Sequence, residues 1–165
     1  MKKQMNLDKS SVGGFYRLNI VEHGKNGEQK IVGDSGWIKN QITDLGAQHY
    51  LVENLASAAG SSSVSYLALG TGTAPGATAV NLPNELTDAA GCRFTFSTSV
   101  VSSRTLQCVG TLASNIITAA RTINNIGLFA VSTTGAGSIF AGNTYATSSL
   151  ATNQSVNCTY QIQFP

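Results

Sequence analysis

The sequence predicts an all-β protein, an antiparallel β-sandwich or jelly-roll-like domain with one inserted α-helix. The clearest sign is the last stretch, where five apolar residues alternate with polar, uncharged ones: Val156, Cys158, Tyr160, Ile162 and Phe164. Because successive strand side chains point to opposite faces, this pattern predicts a strand with one buried and one wet face. Turn-forming clusters also recur along the chain, and no strand–helix alternation follows residue 60. Both observations favour an antiparallel sandwich or barrel over a parallel α/β fold.

An N-terminal hairpin is the first predicted element. Residues 15–22 and 29–32 are strand-like, and the segment between them contains Asn26-Gly27. This pair tolerates the positive φ angles that tight hairpin turns need. We therefore expect a single domain over residues 15–165, preceded by a flexible or partner-bound arm over residues 1–14.

A change of period predicts one long helix over about residues 37–58. Six residues recur at spacings of 4, 3, 4, 3 and 4, which place them on one helix face: Ile38, Ile42, Leu45, His49, Val52 and Ala56. Asp34 or Ser35 is placed to cap this helix. Gly46 inside it costs about 1 kcal/mol relative to Ala, so we expect a close backbone contact there.

The remaining chain reads as further strands and turns. Strands are predicted over residues 64–69, 93–101, 105–112, 123–131, 137–141 and 156–164. A turn at Ser102-Ser103 joins two of them, and residues 77–90, which contain Pro83, are expected to be irregular.

Charge is scarce and unevenly distributed. Charged residues make up 11% of the chain, against about 25% in a typical soluble domain. All acidic residues and lysines lie at or before Asp88, and after Gly91 the only charges are Arg93, Arg104 and Arg121. Because free monomers usually keep more surface charge for solubility, this composition favours assembly.

Several classes of function find no support in the composition. The net charge of +2 is small, and no aromatic residues accompany Lys2, Lys3 and Lys9, so no nucleic-acid partner is expected. No apolar run approaches the roughly 20 residues that span a bilayer, and no signal peptide is apparent. The three cysteines, an odd number, are interpreted as buried thiols in a protein folded in a reducing cytoplasm.

No group of residues forms a convincing catalytic, cofactor or metal site. Gly33-Asp34-Ser35-Gly36 resembles a protease nucleophile motif, but it lies too early in the chain and continues into Trp37. His49 has only Glu53 beside it on the predicted helix, and Glu85 and Asp88 have no further carboxylates nearby to complete a calcium site. Gly70-x-Gly72 lacks the other residues of a phosphate-binding loop. We therefore predict no enzymatic activity, no cofactor and no metal.

Three separated pieces of sequence resemble one family. The first is Gly36-Trp37-x-x-Asn40-x-Ile42-Thr43-x-x-Gly46, and the second is Ala68-x-Gly70-x-Gly72-Thr73-x-Pro75. The third comprises Ile126-Gly127-Leu128-Phe129 with the final strand. Together, over about residues 33–165, they resemble small virion structural proteins of tailed bacteriophages. The family has an acidic residue where this chain has Asn125 or Ile126, which implies the loss of a buried ion pair.

The resemblance implies a non-enzymatic virion component that assembles in the cytoplasm of the bacterial host. A capsid decoration or cement protein is favoured by the small size and low charge. The alternatives are a tail or tail-fibre-associated protein, or a host-glycan-binding β-sandwich. The implied partners are the major capsid protein or tail proteins, together with further copies of this chain in a homo-oligomer such as a trimer. Neither nucleic acid nor a membrane is implied.

Overall fold

Nine strands and one short helix make up the part of the chain that the computed structural model describes, residues 12–47, 63–89, 91–103 and 105–164. In chain order they are β1 (Gly13–His23), β2 (Gln29–Asp34), β3 (Ile38–Ile42), α1 (Asp44–Gly46), β4 (Tyr66–Gly70), β5 (Arg93–Ser102), β6 (Thr105–Leu112), β7 (Arg121–Phe129), β8 (Ile139–Leu150) and β9 (Gln154–Gln163). The prediction of a nearly all-β, antiparallel protein is confirmed.

The strands close into an eight-stranded antiparallel barrel in the order β1-β3-β8-β7-β4-β5-β6-β9, and β9 pairs back onto β1. The predicted sandwich or jelly roll is therefore not confirmed, and the architecture is barrel-like instead. The first and last strands pair along nearly their full length, from Gly13 opposite Gln163 to Glu22 opposite Gln154. This pairing joins what would otherwise be the two ends of an open sheet.

The extra strand, β2, continues β3 along the same edge of β1. Asn19 of β1 pairs with Asp34 of β2, and Tyr16 of β1 pairs with Ile38 of β3. Ser35 bridges the break between them, because its N–H donates to Leu18 O at 3.0 Å and its Oγ accepts from Leu18 N at 2.9 Å. The N-terminal hairpin predicted from two strand-like runs and the Asn26-Gly27 turn is confirmed, with Gly27 at φ +79° in its turn.

The predicted helix over residues 37–58 is wrong in its first part. Residues 38–42 form strand β3, and the described helix α1 covers Asp44–Gly46. The N-cap is Thr43, whose Oγ1 accepts from Gly46 N at 2.9 Å, so the capping role predicted for Asp34 or Ser35 is also wrong. Residues 48–58 of the predicted helix lie outside the described residues.

Gly46 makes the close backbone contact that its sequence position predicts. A Cβ atom added to Gly46 would lie 2.0 Å from the carbonyl oxygen of Phe140. The same carbonyl accepts from Thr43 N at 3.0 Å. The helical turn is therefore held directly against the start of β8.

The predicted strands in the second half are present, with one large change in length. The strand predicted over residues 137–141 starts at Ile139 and continues to Leu150. At the other end of the chain, β1 starts at Gly13, within the predicted arm, and residues 1–11 lie outside the described residues.

The core fills the inside of the barrel. Inward positions of β1 and β9 are buried, among them Tyr16, Leu18, Cys158 and Tyr160. The rings of Tyr16 and Tyr160 stack with centroids 6.2 Å apart, and Tyr145 meets Tyr16 edge-on. All three cysteines are buried and free, as the sequence predicts.

Candidate functional site

Ser35, the residue that resembles a protease nucleophile, is hydrogen-bonded to the surrounding backbone. Its Oγ donates to Gly36 O at 2.8 Å and accepts from the backbone of β1. Its hydrogen-bonding groups thus join β1 to the β2–β3 break. His49 lies outside the described residues.

Glu85 and Arg93 form a buried ion pair. Arg93 Nε and Nη2 donate to the two carboxylate oxygens of Glu85 at 2.6 and 2.9 Å, and the two side chains are 0% and 6% exposed. Arg93 Nη1 also donates to Val131 O and Ala136 O, and the guanidinium lies 3.6 Å from the centroid of the Phe129 ring. Glu85 is therefore held in an ion pair with Arg93, which also binds the segment after Phe129.

Asp88 is paired as well. Arg121 donates to its carboxylate, with Nη2 2.7 Å from Oδ1, and Thr118 Oγ1 donates to it at 3.1 Å. These hydrogen bonds lower the pKa of Asp88, with Arg121 as the main cause. Asp88 and Arg121 line an open groove of about 310 Å³ with Thr71, Asn84, Glu85, Leu86 and Thr87. The structure thus places Glu85 and Asp88 in separate ion pairs.

Asn125 is one of the two positions, with Ile126, at which the sequence resemblance implies an acidic residue in place of the one found here. It is fully buried, and its Nδ2 donates to Thr73 O at 3.1 Å and Pro83 O at 2.9 Å. A Cβ atom on Gly70 would lie 2.4 Å from Asn125 Oδ1, so this glycine leaves space for the amide. The chain also has a buried ion pair, Glu85–Arg93, although the resemblance implied the loss of one.

His23 and Ser155 form a contact that reasoning from the sequence missed. His23 Nε2 lies 2.7 Å from Ser155 Oγ, between strands at opposite ends of the chain. The two residues stand 132 positions apart, so only the β1–β9 register could reveal the pair. Ser155 is 4% exposed, and no described carboxylate bonds to His23, so the orienting third group of a hydrolytic triad is missing from the described residues.

Three neighbouring strands present an outward surface without charge, which we call the uncharged face. Inward residues such as Cys108 and Cys158 are buried, so the alternate residues point outward. The uncharged face consists of Thr95, Ser97, Ser99, Thr105, Gln107, Val109, Thr111, Asn157, Thr159, Gln161 and Gln163.

Val109 lies near the centre of the uncharged face. It is paired with Ser97 on one side and Thr159 on the other, and it is 40% exposed. Side-chain hydrogen bonds cross the face from Thr111 Oγ1 to Asn157 Oδ1 at 2.8 Å and from Gln161 Nε2 to Gln107 Oε1 at 2.9 Å. The wet, uncharged side predicted for β9 is therefore one part of a larger surface.

Comparison with known proteins identifies no relative of this chain. No protein-family model, no curated protein and no solved structure matches the chain. Among the described residues, no three His, Cys, Asp or Glu side chains are grouped to hold a metal ion. No helix in the described ranges has the length and apolar character needed to cross a membrane.

Proposed function

We propose that this chain is a non-enzymatic structural component of a tailed-phage virion, and that it acts as a capsid decoration or cement protein through contacts between subunits. The uncharged face carries this proposal. A neighbouring subunit could cover these hydroxyl, amide and valine side chains on three strands without burying an unpaired charge.

The residues of the family-like motifs support the proposal because they have defined structural tasks. Thr43 caps α1, Gly46 allows contact with Phe140, and Gly70 makes space for Asn125. A Cβ atom on Gly72 would lie 2.4 Å from Pro83 O. These residues stabilise the fold itself, and a stable fold is what a structural virion protein requires.

The residues that the sequence offered for catalysis also support a non-enzymatic role. The hydroxyl of Ser35 is hydrogen-bonded to backbone groups, and Glu85 and Asp88 are each paired with an arginine. A tail or tail-fibre-associated position would use the same surface chemistry, and it is the alternative location within this proposal.

The test is docking onto shells or tails purified from virions lacking this protein. Val109→Asp places a carboxylate at the centre of the uncharged face, and we expect it to weaken docking at least tenfold, because a buried unpaired carboxylate is costly. Val80→Asp is the matched control, since Val80 is 46% exposed and lies beside the start of β8, across the barrel from β6.

Light scattering of the purified protein mixed with shells or tails measures docking. Equal docking by the Val109→Asp and Val80→Asp variants would show that the uncharged face is not the contact surface. Failure of the wild-type protein to bind either particle at micromolar concentration would overturn the virion proposal.

A host-glycan-binding module is the second candidate, and one observation favours it. Trp37 was expected to begin a helix, but it lies in the break between β2 and β3 and is 48% exposed. An exposed indole can stack on a sugar ring. Glycan-array binding that is lost in Trp37→Ala and kept in Val109→Asp would support this function in place of virion assembly.

A further inference from the structure

The second half of β5 has a neighbour on one side only within the described part of the chain. β4 pairs with β5 from Ala68 opposite Arg93 to Tyr66 opposite Thr95, and there the pairing stops. β6 pairs with β5 onward to Ser102 opposite Thr105, with a register shift between Val100 and Ser102. We call residues 97–101, on the side away from β6, the β5 edge.

The side chains of the β5 edge are exposed and uncharged. Its sequence is Ser97-Thr98-Ser99-Val100-Val101, and Val100 and Val101 are 76% and 49% exposed. An unpaired strand edge offers backbone N–H and C=O groups to another strand, and proteins usually block such edges with charges or proline. β2, the outermost strand of the sheet, carries Lys30 and Asp34, whereas the β5 edge carries neither a charge nor a proline.

We propose that the β5 edge pairs with the same edge of a second copy of this chain, antiparallel, about a two-fold axis at Ser99. Antiparallel self-pairing about this point sets Ser99 opposite its own copy, Thr98 opposite Val100, and Ser97 opposite Val101. No like charges meet in this arrangement, and both exposed valines gain a cross-strand neighbour.

A second copy suits this edge better than a charged partner strand because the edge offers no side chain for an ion pair. Five opposed residues supply roughly four to six intermolecular backbone hydrogen bonds. The resulting interface is smaller than the roughly 800 Å² per partner of a standard complex, so we expect a dimer that dissociates in the micromolar range. The biological role of this dimer rests on the proposed assembly function. Dimerisation itself can be measured without virion components.

The decisive experiment uses complementary charges at the two-fold axis. In the full-length Ser99→Lys variant, two lysines would face each other, and in Ser99→Asp two carboxylates would do so. Each variant alone should raise the dimer dissociation constant about tenfold or more, and an equimolar mixture of the two should restore dimers. Sedimentation velocity over a range of protein concentrations measures all three.

Thr95→Lys is the matched control. Thr95 is also exposed and on β5, but β4 pairs with it through Tyr66, so an added lysine should leave dimerisation unchanged. Circular dichroism and urea unfolding of each variant report whether it folds, and recovery of dimers in the mixture would itself require both variants to be folded.

Three results would overturn the self-pairing. The wild-type protein could remain monomeric at about 100 μM, its oligomers could persist in Ser99→Lys, or the mixture could fail to recover dimers. A monomeric wild type whose docking on shells is lost in Val100→Lys, a position outside the uncharged face, but kept in Val109→Asp would assign the β5 edge to another virion protein. Loss of docking only in Val109→Asp, with dimers intact, would separate the uncharged face from the edge.

Discussion

At the scale of single residues, Arg93 is a buried cation whose guanidinium makes four hydrogen bonds inside the protein. Two of these bonds reach Glu85, and two reach backbone oxygens of the segment after β7. Removing one partner of a buried pair leaves a charge without compensation, which costs more than the pair itself contributes.

We therefore expect Glu85→Gln to lower the free energy of unfolding by about 3–5 kcal/mol, a large fraction of the stability of a typical domain. Asp34→Asn is the control, because Arg17 and Asp34 form a similar side-on pair whose side chains are 41% and 37% exposed. Its effect should be far smaller, since water screens exposed pairs. Urea unfolding of both variants makes the comparison, and equal losses would contradict it.

The buried cysteine thiols should make the stability of the fold depend on pH in the alkaline range. Burial raises the pKa of Cys108 from 9.0 to about 11, and burial also raises the pKa of Cys158. For each thiol, the pKa in the folded state exceeds the pKa in the unfolded state. The contribution of the buried neutral thiols to stability is therefore complete below pH 9 and is lost as the pH rises toward 11.

The free energy of unfolding in urea should therefore fall between pH 9 and pH 10, by up to about 1.4 kcal/mol per pH unit for each thiol. Cys108→Ala should reduce this slope without abolishing it, because Cys158 remains. A slope identical to that of the wild type would show that Cys108 does not contribute.

At the scale of elements, Ser35 completes the pairing of β1 where β2 and β3 are interrupted. Ser35→Ala removes the hydroxyl oxygen that accepts a hydrogen bond from Leu18 N. Leu18 is only 3% exposed. We expect a loss of about 1–3 kcal/mol, the cost of a buried donor without a partner. Ser35→Thr keeps a hydroxyl and should retain most of the stability. Similar thermal midpoints for the two variants would contradict this role.

The strands that alternate strictly were predictable, and β3 shows why others were not. Ile38 and Ile42 are four residues apart, an even spacing that suits one face of a strand as well as one face of a helix. Between them lies Asn40, a buried polar residue that a hydrophobic pattern does not mark. The spacing of three that is specific to a helix first occurs at Leu45, within the turn that is in fact helical.

β8 was predicted too short for a related reason. Beyond Ala141 its buried apolar side chains are only Tyr145 and Leu150, with a register shift in its pairing with β7. Tyr145 and Leu150 are five residues apart in a polar stretch, and an odd spacing does not match the period of two by which a strand is predicted. The uncharged face was likewise predictable only on β9, because its extension across β6 and β5 depends on the register between strands that are distant in sequence.

At the scale of the whole molecule, the closed barrel gives β9 a role that alternation cannot predict. Alternation tells which side chains are buried, but not which strands are neighbours. In a sandwich, a terminal strand can lie at a sheet edge and be lost with limited damage. Here β9 lies between β1 and β6 and pairs with both along most of its length.

We expect deletion of residues 154–165 to abolish the cooperative urea transition and the near-ultraviolet circular dichroism signal. The deletion would open the barrel, expose the inward side chains of β1 and β6, such as Tyr16, Leu18 and Cys108, and leave both strands with unpaired edges. Deleting only residues 164–165 is the control, because Phe164 follows the end of β9 and is 43% exposed. A cooperative transition in the longer deletion would show that closure by β9 is dispensable for folding.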